Sequence, residues 1–369
     1  MMKLSSLFNK PVVKKSSMSS KSGSALILVL VLIFVLSMIV MSFSFEAQVE
    51  QMYMRAARDR QKCRFYAESG FAIAEMLMSK QKEISPSSTM SADDEEDRWY
   101  EAAALLAKGM PIQGLVEPIG DGYIILDIVP EPGRINVNKL TEEDWERLLE
   151  SIGMPEEYWE EIIDPILDWM DSDETSNPKG AETEDYYSEL DPPYKAKNGP
   201  VDTVRELLLV KGFSEVLLTG GPFDPATLDG DYQENRFSSS YNRFSETNNI
   251  VIAGLENMLT TYGDGKINIQ SADYDVLRTL PEVDDILARA IIEERELIED
   301  DEPQPFTSVE DLFERIEGLD DSIRNMISVD SEYFRITSVG RVNNIDIRIW
   351  CIAYMNEGKL EILRWCEEP

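Results

Sequence analysis

Residues 24–45, SALILVLVLIFVLSMIVMSFSF, form a run with no charge, interrupted only by serines. As a helix this stretch spans roughly 33 Å, enough to cross the hydrocarbon core of a bilayer. Residues 46–82 replace the continuous apolar run with a period. Met52, Ala56, Cys63, Ala67, Phe71, Ala74 and Leu77 recur at roughly three- and four-residue steps, the spacing of one helix face. No Pro or Gly breaks the apolar run, so one helix from 24 to about 80 is predicted, half apolar all round and half amphipathic.

The period then changes. After a polar, acidic connector at 85–101, GYIILDIVPEPGRINVN (122–138) alternates and is rich in Ile and Val, which predicts strands. The chain closes with EYFRITSVGRV, IDIRIWCIAYM and KLEILRWCEE, three β-rich runs joined by NN and NEG turn signals. Between them, from Leu140 to about Ile327, the pattern is helical with long irregular loops. The predicted class is α+β: an antiparallel sheet from 113–138 and 331–369, packed on the N-terminal helix and interrupted by an α-helical insertion at 139–330. Cys351 and Cys366 fall on the last two strands, where a disulfide forms if the turn register brings them face to face.

The insertion contains an echo. GRINVN (133–138) returns as GKINIQ (265–270), and each copy leads into a helix–turn–helix pattern whose turn begins at Met154-Pro155 or Leu280-Pro281. The second hairpin resembles a helix-hairpin-helix, in which Gly-rich turns offer backbone N–H groups to nucleic-acid phosphates. Here the turn carries Val283, Asp284 and Asp285. Two carboxylates where an anion would dock exclude that use, and the hairpins read as structural, with no nucleic-acid partner.

Composition sharpens the picture. The 369 residues hold 70 acids against 35 basic residues, a net charge of −35, with no histidine and three cysteines, Cys63, Cys351 and Cys366. The first 23 residues carry five lysines and no acid, so the remainder stands at −40 (−35 − 5). Such a body repels nucleic acid and anionic lipid and favours cations. Absent histidine removes the commonest general base and transition-metal ligand. Asp168 and Asp171 lie near Trp145, Trp159 and Trp169, but helical spacing assigns those tryptophans to a core rather than a sugar-binding floor. No enzyme activity is expected.

The densest constellation of candidate chemistry is DWMDSDETSNPKGAETEDYYSELDPPY (168–194). Asp171, Asp173, Thr175, Asn177 and Glu182 occupy positions 1, 3, 5, 7 and 12 of an EF-hand-like spacing, but Ser176 stands where the sixth position needs glycine. A true EF-hand is therefore not expected. Clustered hard oxygen donors still suit Ca²⁺, while the alternative is a solvated acidic loop.

The lysine-bearing front before an apolar run too long for a cleaved secretion signal, with no A-x-A site in MSFSFEAQ, leaves a single-pass anchor with a cytoplasmic N-terminus. A sharper reading starts from KSG followed by Ser24, Ala25 and a Leu/Ile/Val run, which resembles a type IV prepilin-like signal. Taken with PGRINVNKL, ILDWMDSD…GAE…YY…PPYKAKNGPVDTVRELLLVKGF, LTTYGDGKINIQSA, LARAIIEERE and SEYFRITSVGR, the chain from Lys21 onward resembles the GspK family of type II secretion minor pseudopilins.

That resemblance implies a type IV pilin-like fold with an α-helical insertion, a leader (1–23) cut after Gly23 by a prepilin peptidase, and methylation of Ser24. It implies Leu28 at mature position five, where most pilins carry Glu, and therefore a place at a filament tip. Calcium would sit in the acidic loop on Asp171, Asp173 and Glu182, with Asp168 and Asp185 as further candidates. Partners would be the minor pseudopilins GspI, GspJ and GspH and the inner-membrane secretion platform, with segment 24–45 in the inner membrane and the body periplasmic. A minor pilin of a type IV pilus and a single-pass periplasmic ligand-binding or sensor protein are the alternatives.

Overall fold

A computed structural model describes residues 21–81, 95–225, 228, 250–299, 302–356 and 359–368; most of the predicted leader lies outside them. The chain divides into two compact units, Met1–Asp59 and Arg60–Pro369. Helix α1, Lys21–Gln81, contributes to both. Within the first unit, the uncharged run is long and apolar enough to cross a membrane, and none of it is buried. The amphipathic stripe expected from residue 46 does not begin there. Met52 is 68% exposed, and Tyr53 and Met54 are equally open.

The stripe begins in the second unit. Cys63, Ala67, Phe71, Ala74, Leu77 and Met78 are buried at helical spacing in a core shared with Leu126, Ile128, Ile336, Ile347, Ile349, Cys351 and Ala353. These belong to a five-stranded antiparallel sheet whose strands are Ile112–Ile119, Gly122–Pro130, Tyr333–Val342, Ile345–Asn356 and Lys359–Glu368, adjacent in that order. A long N-terminal helix packed on an antiparallel sheet is the pilin-like arrangement expected from the sequence. Contact is close because small residues face each other. A Cβ at Gly340 would lie 1.9 Å from the Cys63 carbonyl oxygen, and one at Gly70 would lie 2.0 Å from the Ser338 hydroxyl.

Three details depart from the sequence-based expectation. The alternation of residues 131–138 does not continue the sheet, because Pro130 ends the second strand and Glu131–Gly133 turn through a short 3₁₀ segment. The connector contains a helix: Glu95–Ala107 forms α2, whose Ala102, Ala103 and Leu106 join the helix–sheet core. The cysteines do not pair. Cys351 stands opposite Trp365 and Cys366 opposite Trp350. Directly opposed residues share a face and neighbours alternate, so Cys351 faces α1 while Cys366 lies on the other side of the sheet. Both are free thiols.

The insertion leaves after the second strand and re-enters at the third. Those strands pair directly, Pro130 opposite Phe334, so its two ends are neighbours. It has its own core, with Trp145, Leu148, Ile162, Ile166, Tyr187, Leu277, Ile291 and Phe306 among the buried residues. The sequence echo is a structural duplication. Ile135–Asn136 pairs in parallel with Leu259–Thr260, as Ile267–Asn268 does with Ile327–Ser328. Buried Asn136 accepts from the Asn138 N–H and donates to the Gly263 carbonyl; buried Asn268 accepts from the Gln270 N–H and donates to the Val329 carbonyl.

Two residues further on, Asn138 exchanges two hydrogen bonds with the Val201 backbone, and Gln270 donates to the Phe306 carbonyl. PVDTVREL (200–207) and PFTSVEDL (305–312) are therefore equivalent as well. The hairpin prolines are 126 residues apart (281 − 155), but Pro200 and Pro305 only 105 (305 − 200). The first copy thus carries 21 additional residues (126 − 105) beyond its second helix, and they lie in the acidic loop. In the second hairpin the Asp284 side chain accepts from the N–H groups of Ile286 and Leu287, so the helix N-terminus is capped by its own carboxylate.

Gly340→Ala is expected to destabilise the chain by about 1–3 kcal/mol, because its methyl group collides with helix backbone rather than a flexible side-chain end. Chemical denaturation, read as a lower midpoint at an unchanged slope, checks this.

Candidate metal centre

The hairpin of the first copy positions the acidic loop. Helix α3, Glu142–Ser151, opens with a capping box between Thr141 and Asp144, and helix α4, Glu160–Met170, packs its Ile162, Ile163, Ile166 and Trp169 into the insertion core. That burial points Asp168, in the last turn of α4, inward: it is fully buried. A buried carboxylate needs hydrogen bonds, and the loop wraps around this one. Asp168 accepts from the Asn177 N–H, the Asn177 side-chain amide at 2.7 Å and the Ala181 N–H at 2.8 Å. A Cβ at Gly180 would lie 1.8 Å from Asp168 Oδ2, so the loop closes only because residue 180 has none. Burial raises the Asp168 pKa, and these donors oppose the rise.

Asp185 is also consumed by the loop. It accepts from the Ser176 hydroxyl and from the Glu182 N–H, and the Ser176 bond is the main reason its pKa is lowered. Ser176, in place of the EF-hand glycine, is thus tied to Asp185 rather than turning the chain around an ion. At the start of the loop Asp171 Oδ1 accepts from the Asp173 N–H, and Asp173 Oδ1 accepts from the Thr175 N–H, two consecutive side-chain-to-backbone turns.

Of the five acids singled out in the sequence, Asp171, Asp173 and Glu182 converge. Each offers a carboxylate oxygen, and these oxygens all lie within 4.8 Å of one another. Asp168 and Asp185 do not join the group but hold the loop that forms it. Glu182 is 2% exposed, and both its oxygens are buried without a hydrogen-bond partner. Burial first, then the charges of Asp168, Asp171 and Glu174, push its pKa up to about 7. A buried carboxylate with no donor and three acidic neighbours is an electrostatic debt that only a proton or a cation settles.

The donor set is all oxygen. Oxygens on opposite sides of a Ca²⁺ ion stand about 4.6–5.2 Å apart, twice its usual ligand distance, so the three acids fit such an ion with little movement. The sequence pattern missed Asn198. It adopts φ 49°, donates from Nδ2 to the Asp173 carbonyl at 2.9 Å, and buries an Oδ1 that has no partner, a further neutral oxygen beside the loop. No spacing rule pointed to it, because Asn198 enters the neighbourhood from the far end of the loop.

Residues 133–220, which contain the first copy and the whole acidic loop, match the family described as "Type II secretion system (T2SS), protein K". Among solved structures, a chain of "The Crystal Structure of the GspK-GspI-GspJ complex from enterotoxigenic Escherichia coli Type 2 Secretion System" superposes with a TM-score of 0.55 at 16% identity. The match covers 86% of this chain and 99% of that one, and it establishes a shared fold. No curated protein matches the chain.

Stripped of metal, the protein is expected to lose stability as pH rises from about 4.5 to about 7. In that window the folded state holds a proton on Glu182 that the unfolded state has released. The loss amounts to about 3 kcal/mol at pH 8. Glu182→Gln should reduce this pH dependence and raise the unfolding midpoint of the metal-free chain at pH 8. Thermal unfolding of both proteins at pH 5 and pH 8 checks it, and an unchanged wild-type midpoint contradicts it.

Proposed function

With residues 133–220 carrying the type II secretion protein K match, we propose that the chain is a minor pseudopilin at the tip of the type II secretion pseudopilus, the filament that drives folded proteins across the outer membrane. The observation that carries this reading is the joining, in one chain, of that matched domain to a pilin-like helix on an antiparallel sheet, with the domain inserted between two sheet strands.

On this reading residues 1–23 are a prepilin leader. A prepilin peptidase cuts after Gly23 at the cytoplasmic face, and Ser24 becomes the methylated N-terminus. Segment 24–45 rests in the inner membrane before assembly, with the body in the periplasm, and then packs among the helices of partner subunits. Leu28 supports the tip position. A Glu at that place answers the N-terminal amine of a neighbour, and a buried charge with no such answer is costly, so the apolar residue suits the subunit that has no further neighbour above it.

The neighbour of shared fold was solved with GspI and GspJ, and subunits of those two kinds are the proposed partners here, with GspH beneath and the inner-membrane platform below. Asp171, Asp173 and Glu182 would hold Ca²⁺, with the oxygen of Asn198 close by. The ion would neutralise the loop and fix the first helical copy; its role is structural, and the protein acts as a scaffold.

Gly23→Ala is expected to leave the leader attached, and so is a charged residue in place of Ser24. Mass spectrometry and N-terminal sequencing of the membrane-extracted protein check this. A wild-type chain that begins at Met1 with an unmodified amine overturns the reading and favours a single-pass anchor. Calcium should raise the unfolding midpoint of the metal-stripped wild type and leave Glu182→Gln unmoved.

A further inference from the structure

The face of the sheet turned away from α1 bears basic residues that the helical insertion partly covers, in a chain whose net charge is −35. A cavity of about 490 Å³ opens between them, lined by Arg134, Arg205, Arg335, Arg348 and Arg364 around Trp350. The strand register explains the grouping. Arg335 stands opposite Ile352, and Ile352 opposite Arg364, while Thr337, Trp350 and Cys366 form the adjacent row and Arg348 stands opposite Glu368. Alternate positions on three neighbouring strands thus build one basic face with an indole at its centre. The Arg335 guanidinium lies 4.7 Å and that of Arg364 5.5 Å from the centre of the Trp350 ring.

Three of the five arginines already hold carboxylates. Arg335 grips Glu131 through two bonds of 2.8 Å, Arg205 binds both oxygens of Glu256, and Arg348 lies 3.8 Å from Glu368. Arg134 and Arg364 differ. Arg134 has only a distant approach to Glu131, 3.9 Å, whose oxygens are taken by Arg335 and the Thr260 hydroxyl. Arg364 has no acidic partner among the described residues and rests on Trp350 alone. Arg134 and Arg364 are thus the two guanidinium groups of the lining with no carboxylate within hydrogen-bond distance among the described residues. Burial is the main reason the Arg134 pKa is lowered, so its charge sits in a poorly solvated place.

We propose that this cavity is a docking site for an acidic polypeptide segment, whose carboxylates are received by Arg134 and Arg364 over the Trp350 ring. Three features select carboxylates on a short peptide. The cavity's own filled positions are arginine–carboxylate pairs, two of them two-pronged, which is the geometry a guanidinium fork matches best. The cavity's volume lies in the range of small-ligand clefts and admits a chain segment rather than a folded domain. The surrounding −35 charge repels extended polyanions at long range, so only a short anion that reaches the arginines gains from them.

The test titrates the full-length chain in detergent with a capped tetraglutamate peptide, its tetraglutamine counterpart and inorganic phosphate, by isothermal calorimetry. The glutamate peptide is expected to bind, and the glutamine peptide is not. Arg364→Gln and Arg134→Gln should each weaken binding at least tenfold. Arg364→Lys, which keeps the charge and loses the fork, should fall between. Arg289→Gln, an arginine over Tyr274 and outside the cavity lining, should leave binding unchanged. Absence of peptide binding overturns the proposal, as does equal weakening by Arg289→Gln. Phosphate binding as tight as the peptide's overturns the assignment to carboxylates.

Discussion

The direct pairing of the second and third sheet strands is the constraint on which the rest depends. It joins Gly122–Pro130 to Tyr333–Val342 across more than half of the chain and closes the insertion into a loop with adjacent ends. Closing so long a loop costs entropy, but the cost grows only with the logarithm of length, so a large domain can be carried between neighbouring strands. The closure is reinforced at its root. Glu131, the first residue past the second strand, is buried, and Arg335 of the third strand holds both its oxygens while Thr260 donates a third bond. One carboxylate thereby links the sheet to both ends of the first helical copy.

The two copies show how chemistry was added to a structural unit. Each is pinned by an asparagine that bridges turns of backbone, and each carries a hairpin of helices. Only the first has the additional residues beyond its second helix. That loop is organised by hydrogen bonds to Asp168 and Asp185, which gather Asp171, Asp173 and Glu182 in the space that remains. The division of labour is electrostatic. Donors from the loop hold the Asp185 pKa down and oppose the rise that burial imposes on Asp168, whereas the buried oxygens of Glu182 have no hydrogen-bond partner and its pKa rises to about 7. The fold thus holds an arrangement whose relief comes from outside it.

Charge is sorted in a similar way over the rest of the molecule. Acids crowd the loop, while arginines from three sheet strands and from the insertion cluster around Trp350. Because guanidinium is planar and weakly hydrated, it stacks on Trp350 and pairs with carboxylates in a partly enclosed space where an ammonium group would be disfavoured. The net charge of the chain hides this local inversion of sign.

Sequence alone determined the elements with a strong period and the residues with a strong chemical bias. The apolar run, the helix that follows, the strand-rich ends and the helical middle were legible because side-chain periods of 3.6 and 2 are local properties. The acidic loop was legible because its residues are close in the chain. Tertiary structure decided everything that depends on which way a side chain turns. It started the buried stripe of α1 at Cys63 rather than Met52, because burial needs the sheet as a partner. It set Cys351 and Cys366 on opposite faces through one residue of register. It divided five acids into three that converge and two that hold the loop, and brought in Asn198. The arginine cluster was invisible in the sequence because its members come from positions between 134 and 364, and only the pairing of three strands and the folding of the insertion over them make them neighbours.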